Sequence, residues 1–285
     1  MKLKFTKMHG IGNDYIYFDA IHQEISDPEK LALTLSDRRF GIGGDGVILI
    51  CPSEAADAKM RMFNEDGSEG KMCGNGIRCV GKFIYDKGLV PKEKTTVTIE
   101  TLSGIKTLEL TVRGGKVQSA KVDMEQAILT PSKIPVLFDG ERMINETIEV
   151  GGKEYRVTAV SMGNPHCVTF VGDPDVIEIE KIGPLFEHHA IFPDRVNTEF
   201  VQVIDDHTLK MRVWERGSGE TLACGTGACA TVVAACENGF CQKGEDVTVH
   251  LRGGDLVIRY TDKTVIMTGP ATTVFEGTID VPSVQ

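Results

Sequence analysis

Hydrophobic and polar residues alternate along much of the chain, and the alternation predicts strands. "KLKFTKM" at 2–8 and "YIYFDA" at 15–20 have the two-residue period of half-buried strands, and "GVILI" at 46–50 reads as a buried one. "KMRMF" at 59–63 alternates into the turn signal "NEDGSEG". "TTVTIETLSG", "IKTLELTVRGG" and "KVQSAKVDM" then follow as a meander. Two stretches take the helical period instead. In "SDPEKLALTLSDRRF", Asp27 is placed as an N-cap with Pro28 in the first turn. From about Gly74 to Lys87, Ile77, Val80 and Ile84 fall on one face, and Gly88 is the natural C-cap.

The second half repeats this order. "KEYRVTAVSMGNPHCVTFVG" gives strands, "DVIEIEKIGPLFEHH" is partly helical, and "NTEFVQVI" and "TLKMRVWERG" are strands. A helix runs from about Gly225 to Asn238 with Gly239 at its end, and "DVTVHLRGG", "DLVIRYT" and "KTVIMTG" close the chain as strands. At an offset of 151 residues the halves align: Lys59–Arg61 on Lys210–Arg212, Glu69 on Glu220, Cys73 on Cys224, Gly74 on Gly225, Gly76 on Gly227 and Gly88 on Gly239. Gly12-Asn13 falls on Gly163-Asn164. Residues 59–94 and 210–245 share nine identities in 36 positions, clustered at the cysteine and the glycines. A duplicated domain accounts for this, and the period is far too long for a solenoid. The expectation is two similar domains facing each other across a cleft, with the boundary where "EQAILTPSKIP" breaks the strand pattern.

Composition narrows the function without naming it. The 285 residues are 41% hydrophobic and 25% charged, ordinary for a globular chain that buries a core. A net charge of −10 and a pI near 5.3 argue against nucleic-acid binding, which wants a basic face. No apolar run reaches transmembrane length, and "MKLKFTKMHGIGND" lacks the apolar core of a signal peptide, so a cytoplasmic chain is expected. The eight cysteines are then expected to stay reduced, and without a C-x-x-C pair most read as buried thiols, with no metal.

The chemistry concentrates in "KMCGNGIRCV" (71–80) and "LACGTGACAT" (222–231). A helix start offers N–H groups outside the helical ladder and about half a positive charge. A thiol there is expected to have a depressed pKa. The adjoining Gly-x-Gly lets backbone approach a ligand, and the amides can clamp a carboxylate. Two such thiols in one site form an acid–base pair: one removes a proton from one face of a carbon, the other returns one to the opposite face. No phosphate-binding loop of the G-x-x-x-x-G-K-[ST] form is present in the sequence.

The segments "KMHGIGNDY", "FNEDGSEGKMCGNGIRC", "VSMGNPHCV", "RVNTEFVQ" and "WERGSGETLACGTGAC" make the chain resemble the diaminopimelate epimerase family over essentially its whole length. The resemblance implies a cofactor-independent isomerase that interconverts LL- and meso-2,6-diaminoheptanedioate in lysine and peptidoglycan-precursor synthesis. It implies that Cys73 and Cys224 are the acid and base, exchanging roles with direction. Amides of Gly74, Asn75, Gly225 and Thr226 would hold the α-carboxylate. Asn64, Asn164, Asn197 and Arg216 would read the distal carboxylate, Glu215 the distal ammonium, and Asn13 would line the pocket. The family's thiol-tuning His-and-Glu pair falls on His166 and Glu215. The implied fold is α/β (α+β): two pseudo-symmetric domains, each a curved, mostly antiparallel sheet around a central helix, with the active site in the cleft. The first domain is expected at 1–125 plus 271–285 and the second at 126–270. A small-molecule substrate and a homodimer are implied, with no nucleic-acid or membrane partner.

One position departs from the pattern. Some members carry Gln where this chain has Gly46, which faces Asn197 at the 151 offset, so a side-chain contact is expected to be missing there. Plain structural readings stand beside the functional ones. Asn64 can merely start a turn, Asn13 and Asn164 can serve the Gly-Asn turns, His166 can be a satisfied loop histidine, and Glu215 and Arg216 a solvated strand end. Two other functions stay open. A proline or hydroxyproline racemase would typically have His where this chain has Asn75. A non-catalytic thiol or metal-binding module would show zinc or a Cys73–Cys224 disulfide.

Overall fold

The computed structural model describes residues 2–281. The chain divides into two compact units, Met1–Val122 with Thr268–Gln285, and Asp123–Met267. Both are strand-rich with few helices, and among the described residues no helix is long and apolar enough to cross a membrane.

The first unit comprises β1 (Lys2–Gly10), β2 (Asn13–Asp19), α1 (Pro28–Leu35), β3 (Gly46–Cys51), β4 (Ala58–Asn64), β5 (Glu69–Gly70), α2 (Gly74–Asp86), β6 (Thr96–Thr101), β7 (Gly104–Arg113) and β8 (Lys116–Asp123). The second comprises β9 (Glu146–Val150), β10 (Lys153–Ser161), β11 (Pro165–Phe170), α3 (Ile179–Glu187), β12 (Asn197–Asp205), β13 (Thr208–Glu215), β14 (Gly219–Thr221), α4 (Gly225–Glu237), β15 (Asp246–Leu251), β16 (Gly254–Tyr260) and β17 (Val265–Pro270). The chain re-enters the first unit at Thr268, within β17, and continues there as β18 (Thr272–Asp280), antiparallel to β1.

The strand register repeats at the sequence offset. β2 runs parallel to β3 with Tyr15 opposite Gly46, and β11 runs parallel to β12 with His166 opposite Asn197, each partner 151 residues on. β3 pairs antiparallel with β4, as β12 does with β13. A parallel step follows in both units, β4 to β6 and β13 to β15. The short β5 and β14 fold back antiparallel on β4 and β13 and lead into the cysteine-capped helices.

The expected starts of α2 and α4 hold, and Asp27 caps α1 through a 3.1 Å bond from the Lys30 N–H to its Oδ1. Ile77, Val80 and Ile84 of α2 are all buried, and the burial extends beyond their face. Twelve of its thirteen residues are buried, including Arg78 and Lys82. Both charged heads are satisfied inside: Arg78 donates to the carbonyls of Gly74 and Pro270 and to Asn75 Oδ1, and Lys82 to Asp86 and the Val117 carbonyl. Buried charge survives only with such partners. α4 is apolar and small-residued nearly all round, as a helix central to its unit should be. Packing against the outer faces of the strands is separate: Leu31, Ala32 and Leu35 of α1 join Ile16, Phe18 and Phe63, and Phe186 of α3 joins Phe200 and Cys167.

Candidate active site

Cys73 is the N-cap of α2 in an extended conformation, and its Sγ accepts the Gly76 N–H at 3.3 Å. Cys224 caps α4 in the same conformation, with Sγ accepting the Gly227 N–H at 3.3 Å. Each sulfur thus sits at the positive end of a buried helix. Gly74 and Asn75, and Gly225 and Thr226, occupy the first two helical positions, where the α-helical ladder supplies no acceptor for an N–H. The third residue of each helix is glycine for a packing reason. A Cβ on Gly76 would lie 2.7 Å from Ile48 Cδ1, and a Cβ on Gly227 2.7 Å from Glu199 Oε1 and 3.2 Å from Cys224 Sγ.

Around Cys73, the Sγ–H donates to Asn13 Oδ1 at 3.2 Å. Asn13 follows a tight turn whose Ile11 and Gly12 both have positive φ, and its Nδ2 donates to Asp45 Oδ2 at 2.6 Å. Asp45 also accepts from the Asp14 N–H and from Arg38, and Asp14 pairs with Lys7 and Arg38. Tyr15 is 5% exposed, and its phenol is pushed well above the usual range by burial and then by the charges of Cys73 and Asp45. A side chain at Gly46 has no room: its Cβ would come within 2.1 Å of the Phe63 carbonyl and 3.0 Å of the Tyr15 ring. The Gln carried by some members is therefore incompatible with this backbone as it stands.

Around Cys224 the partners change. Thr226 Oγ1 lies 3.5 Å from Sγ and accepts from Asn164 Nδ2 at 3.3 Å. Asn164 Oδ1 faces His166 Nε2 at 3.0 Å, and His166 Nδ1 faces Glu199 Oε1 at 2.7 Å. His166 and Glu199 are both completely buried. Burial pushes the Glu199 carboxyl above its ordinary range, His166 opposes this, and the charge of Glu215 adds to it. Burial, then Glu215 and Glu199, push the Cys224 thiol well above its ordinary range, against the pull of Thr226 and the Gly227 N–H. The depressed pKa expected at a helix start is thus reversed for Cys224, because desolvation and two acids outweigh one helix end.

The other expected residues divide. Glu215 accepts a short hydrogen bond from the Thr221 hydroxyl and lies near enough to Cys224 to raise it electrostatically. His166 Nδ1 is paired with Glu199, while Glu215 acts on Cys224 through its charge. Asn197 is buried, with Nδ2 donating to the Pro165 carbonyl and Oδ1 accepting the Arg216 N–H at 2.8 Å, so it sets the path of the Arg216 segment. Arg216 is exposed and donates to the Asp194 carbonyl. Asn64 donates to Ser68 Oγ and shares backbone bonds with Ser68 and Gly67, the turn role of its plain reading. Asn13 engages Cys73 with its amide oxygen and Asp45 with its amide nitrogen. Glu199, Asp45 and Tyr15 were missed. A signal existed for Glu199: at the 151 offset it replaces Ile48, an acid in the middle of a buried strand. All eight cysteines are free thiols, and among the described residues no three His, Cys, Asp or Glu side chains are grouped to hold a metal ion.

The family model described as "Diaminopimelate epimerase" matches residues 5–130 and 158–274. The chain is 56% identical over 280 residues to a diaminopimelate epimerase of Acetivibrio thermocellus, covering 98% of this chain and 99% of the relative. It is 58% identical over 281 residues to a diaminopimelate epimerase of Methanococcus maripaludis, covering 98% and 100%. Among solved structures, a probable proline racemase from Agrobacterium radiobacter is similar at a TM-score of 0.74 and 15% identity, covering 98% of this chain and 93% of that one. A phenazine biosynthesis protein of the PhzF family from Bacillus anthracis is similar at a TM-score of 0.72 and 17% identity, covering 99% and 100%. These two likenesses are of fold.

Proposed function

Because the chain belongs to the diaminopimelate epimerase family, we propose that it interconverts LL- and meso-2,6-diaminoheptanedioate without a cofactor, with Cys73 and Cys224 as the acid–base pair. The reading is carried by one observation: two thiols, each capping a buried helix that opens with Gly-x-Gly, at the same place in a duplicated backbone. The reaction needs both sulfurs at one α-carbon, on opposite faces. The thiolate takes the α-proton, the bonding electrons stay on the carbon as its carboxylate shares the charge, and the other thiol delivers a proton to the far face. The sulfurs end with their protonation exchanged, which is why the roles swap with direction. The first-turn amides at Gly74, Asn75, Gly225 and Thr226 hold the α-carboxylate, where helix dipoles favour the developing negative charge.

At the far end of the substrate, Arg216 takes the distal carboxylate, with Asn197 fixing its segment and Asn64 and Asn164 alongside. Glu215 takes the distal ammonium. An ammonium beside Glu215 also offsets one of the acids that raise Cys224, so substrate binding favours the thiolate there. Family membership further supports a place in lysine and peptidoglycan-precursor synthesis, a cytoplasmic location and a homodimer.

Chiral chromatography of product tests the assignment, with LL-diaminopimelate as substrate and proline and glutamate as controls. Meso product from the first alone is expected. Racemised proline with LL-diaminopimelate untouched would overturn it in favour of the proline-type alternative.

A further inference from the structure

We infer that Asp45 is a positioning residue that keeps Cys73 in its thiol form by fixing which end of the Asn13 amide faces the sulfur. The inference rests on Cys73 being a working thiol, as proposed above. The oxygen and nitrogen of an amide are told apart by their partners. Asp45 Oδ2 accepts the Asp14 backbone N–H at 3.0 Å, and Oδ1 accepts Arg38 Nη2 at 2.8 Å. Both of those partners can only donate, and the ion pair with Arg38 holds Asp45 as a carboxylate, so both of its oxygens are acceptors. The end of Asn13 that lies 2.6 Å from Oδ2 must then be the NH2. Its oxygen is left 3.2 Å from Cys73 Sγ, where it accepts a proton from a thiol and repels a thiolate.

The second unit lacks this device. Val196 stands at the position equivalent to Asp45, and Asn164 instead gives its NH2 to Thr226. Thr226 then has its O–H available to the sulfur of Cys224 at 3.5 Å. The same asparagine, repeated by duplication, thus offers an acceptor to one sulfur and, through Thr226, a donor to the other.

The test is the rate at which iodoacetamide alkylates Cys73 in the substrate-free protein, followed by peptide mass against pH. Asp14, Arg38 and Tyr15 face Asp45, Lys7 pairs with Asp14, and Tyr15, Tyr17 and Cys79 face Cys73; all stay in every variant. Asp45→Ala releases the amide to turn its NH2 to the sulfur. Alkylation at neutral pH is expected to accelerate about three- to tenfold, the scale of one ordinary net hydrogen bond. The limiting rate at alkaline pH is expected to stay the same. Asp45→Asn, which keeps the shape, is expected to shift the profile the same way by less, and serves if the alanine variant does not fold. Asn13→Ala alone should accelerate the neutral-pH rate, and adding Asp45→Ala to it should change little more.

Equal effects of Asp45→Ala with and without Asn13 would mean simple charge removal and overturn the inference. A raised alkaline limit with an unmoved profile would mean a loosened loop and overturn it too. The assay needs no epimerase activity, so its failure is distinct from failure of the assigned reaction.

Discussion

Cys73 and Cys224 cap their helices through the same bond to the third amide, yet different side chains stand behind them. Position by position at the 151 offset, Tyr15 faces His166, Ile48 faces Glu199, and Asp45 faces Val196. The register that places these residues is shared, Tyr15 opposite Gly46 and His166 opposite Asn197. Duplication therefore preserved where each sulfur sits, and later substitution changed the charge around it. The first unit packs its third-position glycine against an aliphatic methyl, and the second packs the equivalent glycine against a buried acid. One backbone thus presents two thiols in different polar surroundings, Asn13 beside one and Thr226 with two nearby acids beside the other.

Breaking either cap tests whether the halves are equal partners. Cys73→Ala and Cys224→Ala are each expected to lower the epimerisation rate by about 10²–10⁴-fold or more, as loss of a general acid or base does. Initial rates with pure LL substrate measure this, and near-normal turnover by either variant would mean that one thiol suffices.

Glu199→Ile imports the first unit's residue into the second and leaves His166 buried without its partner. It is expected to destabilise the protein by about 1–3 kcal/mol, read from denaturant unfolding. Gly227→Ala pushes on the same carboxylate and on Cys224 itself, and overpacking of this kind costs about 1–3 kcal/mol. It should slow turnover more than Gly76→Ala, whose closest contacts would be the flexible ends of Ile48 and Met60. Equal losses in the two glycine variants would show that Glu199 plays no special part.

The smallest expected effect concerns pH and stability. The Glu199 carboxyl is raised above its ordinary range, so the folded protein binds that proton more tightly than the unfolded chain. Its contribution is fully present below the unfolded pKa and lost as pH rises through the folded one. Glu199→Gln should flatten the fall of stability above the ordinary carboxylate range in a series of melts. An unchanged slope would place the proton on another group.

Much of this was legible in the sequence, because local signals decide local structure. Asp27-Pro28 marked a helix start, and Cys-Gly-x-Gly marked two more. The two- and three-residue strands β5 and β14 escaped, since a periodic pattern needs more residues to be recognised. The burial of Arg78 and Lys82 escaped as well, because periodicity cannot see that a carbonyl or carboxylate waits inside for a charged head. In the site, the cysteines and the Gly-Asn turns were read directly. Glu199 was not anticipated, although at the 151 offset an acid there replaces Ile48 within a buried strand. That the amides of Asn197 and Asn64 engage the neighbouring backbone and Ser68 was not legible, because the sequence does not show which polar groups the fold brings within reach.

The central claim is that two different thiols handle the proton on opposite faces. Turnover of LL-diaminopimelate in deuterium oxide, stopped within the first few per cent of reaction, tests it most directly. The account predicts meso product carrying one deuterium at the inverted carbon, and recovered LL substrate almost free of label. Equal labelling of product and recovered substrate from the outset would mean that one group serves both faces, and would contradict it.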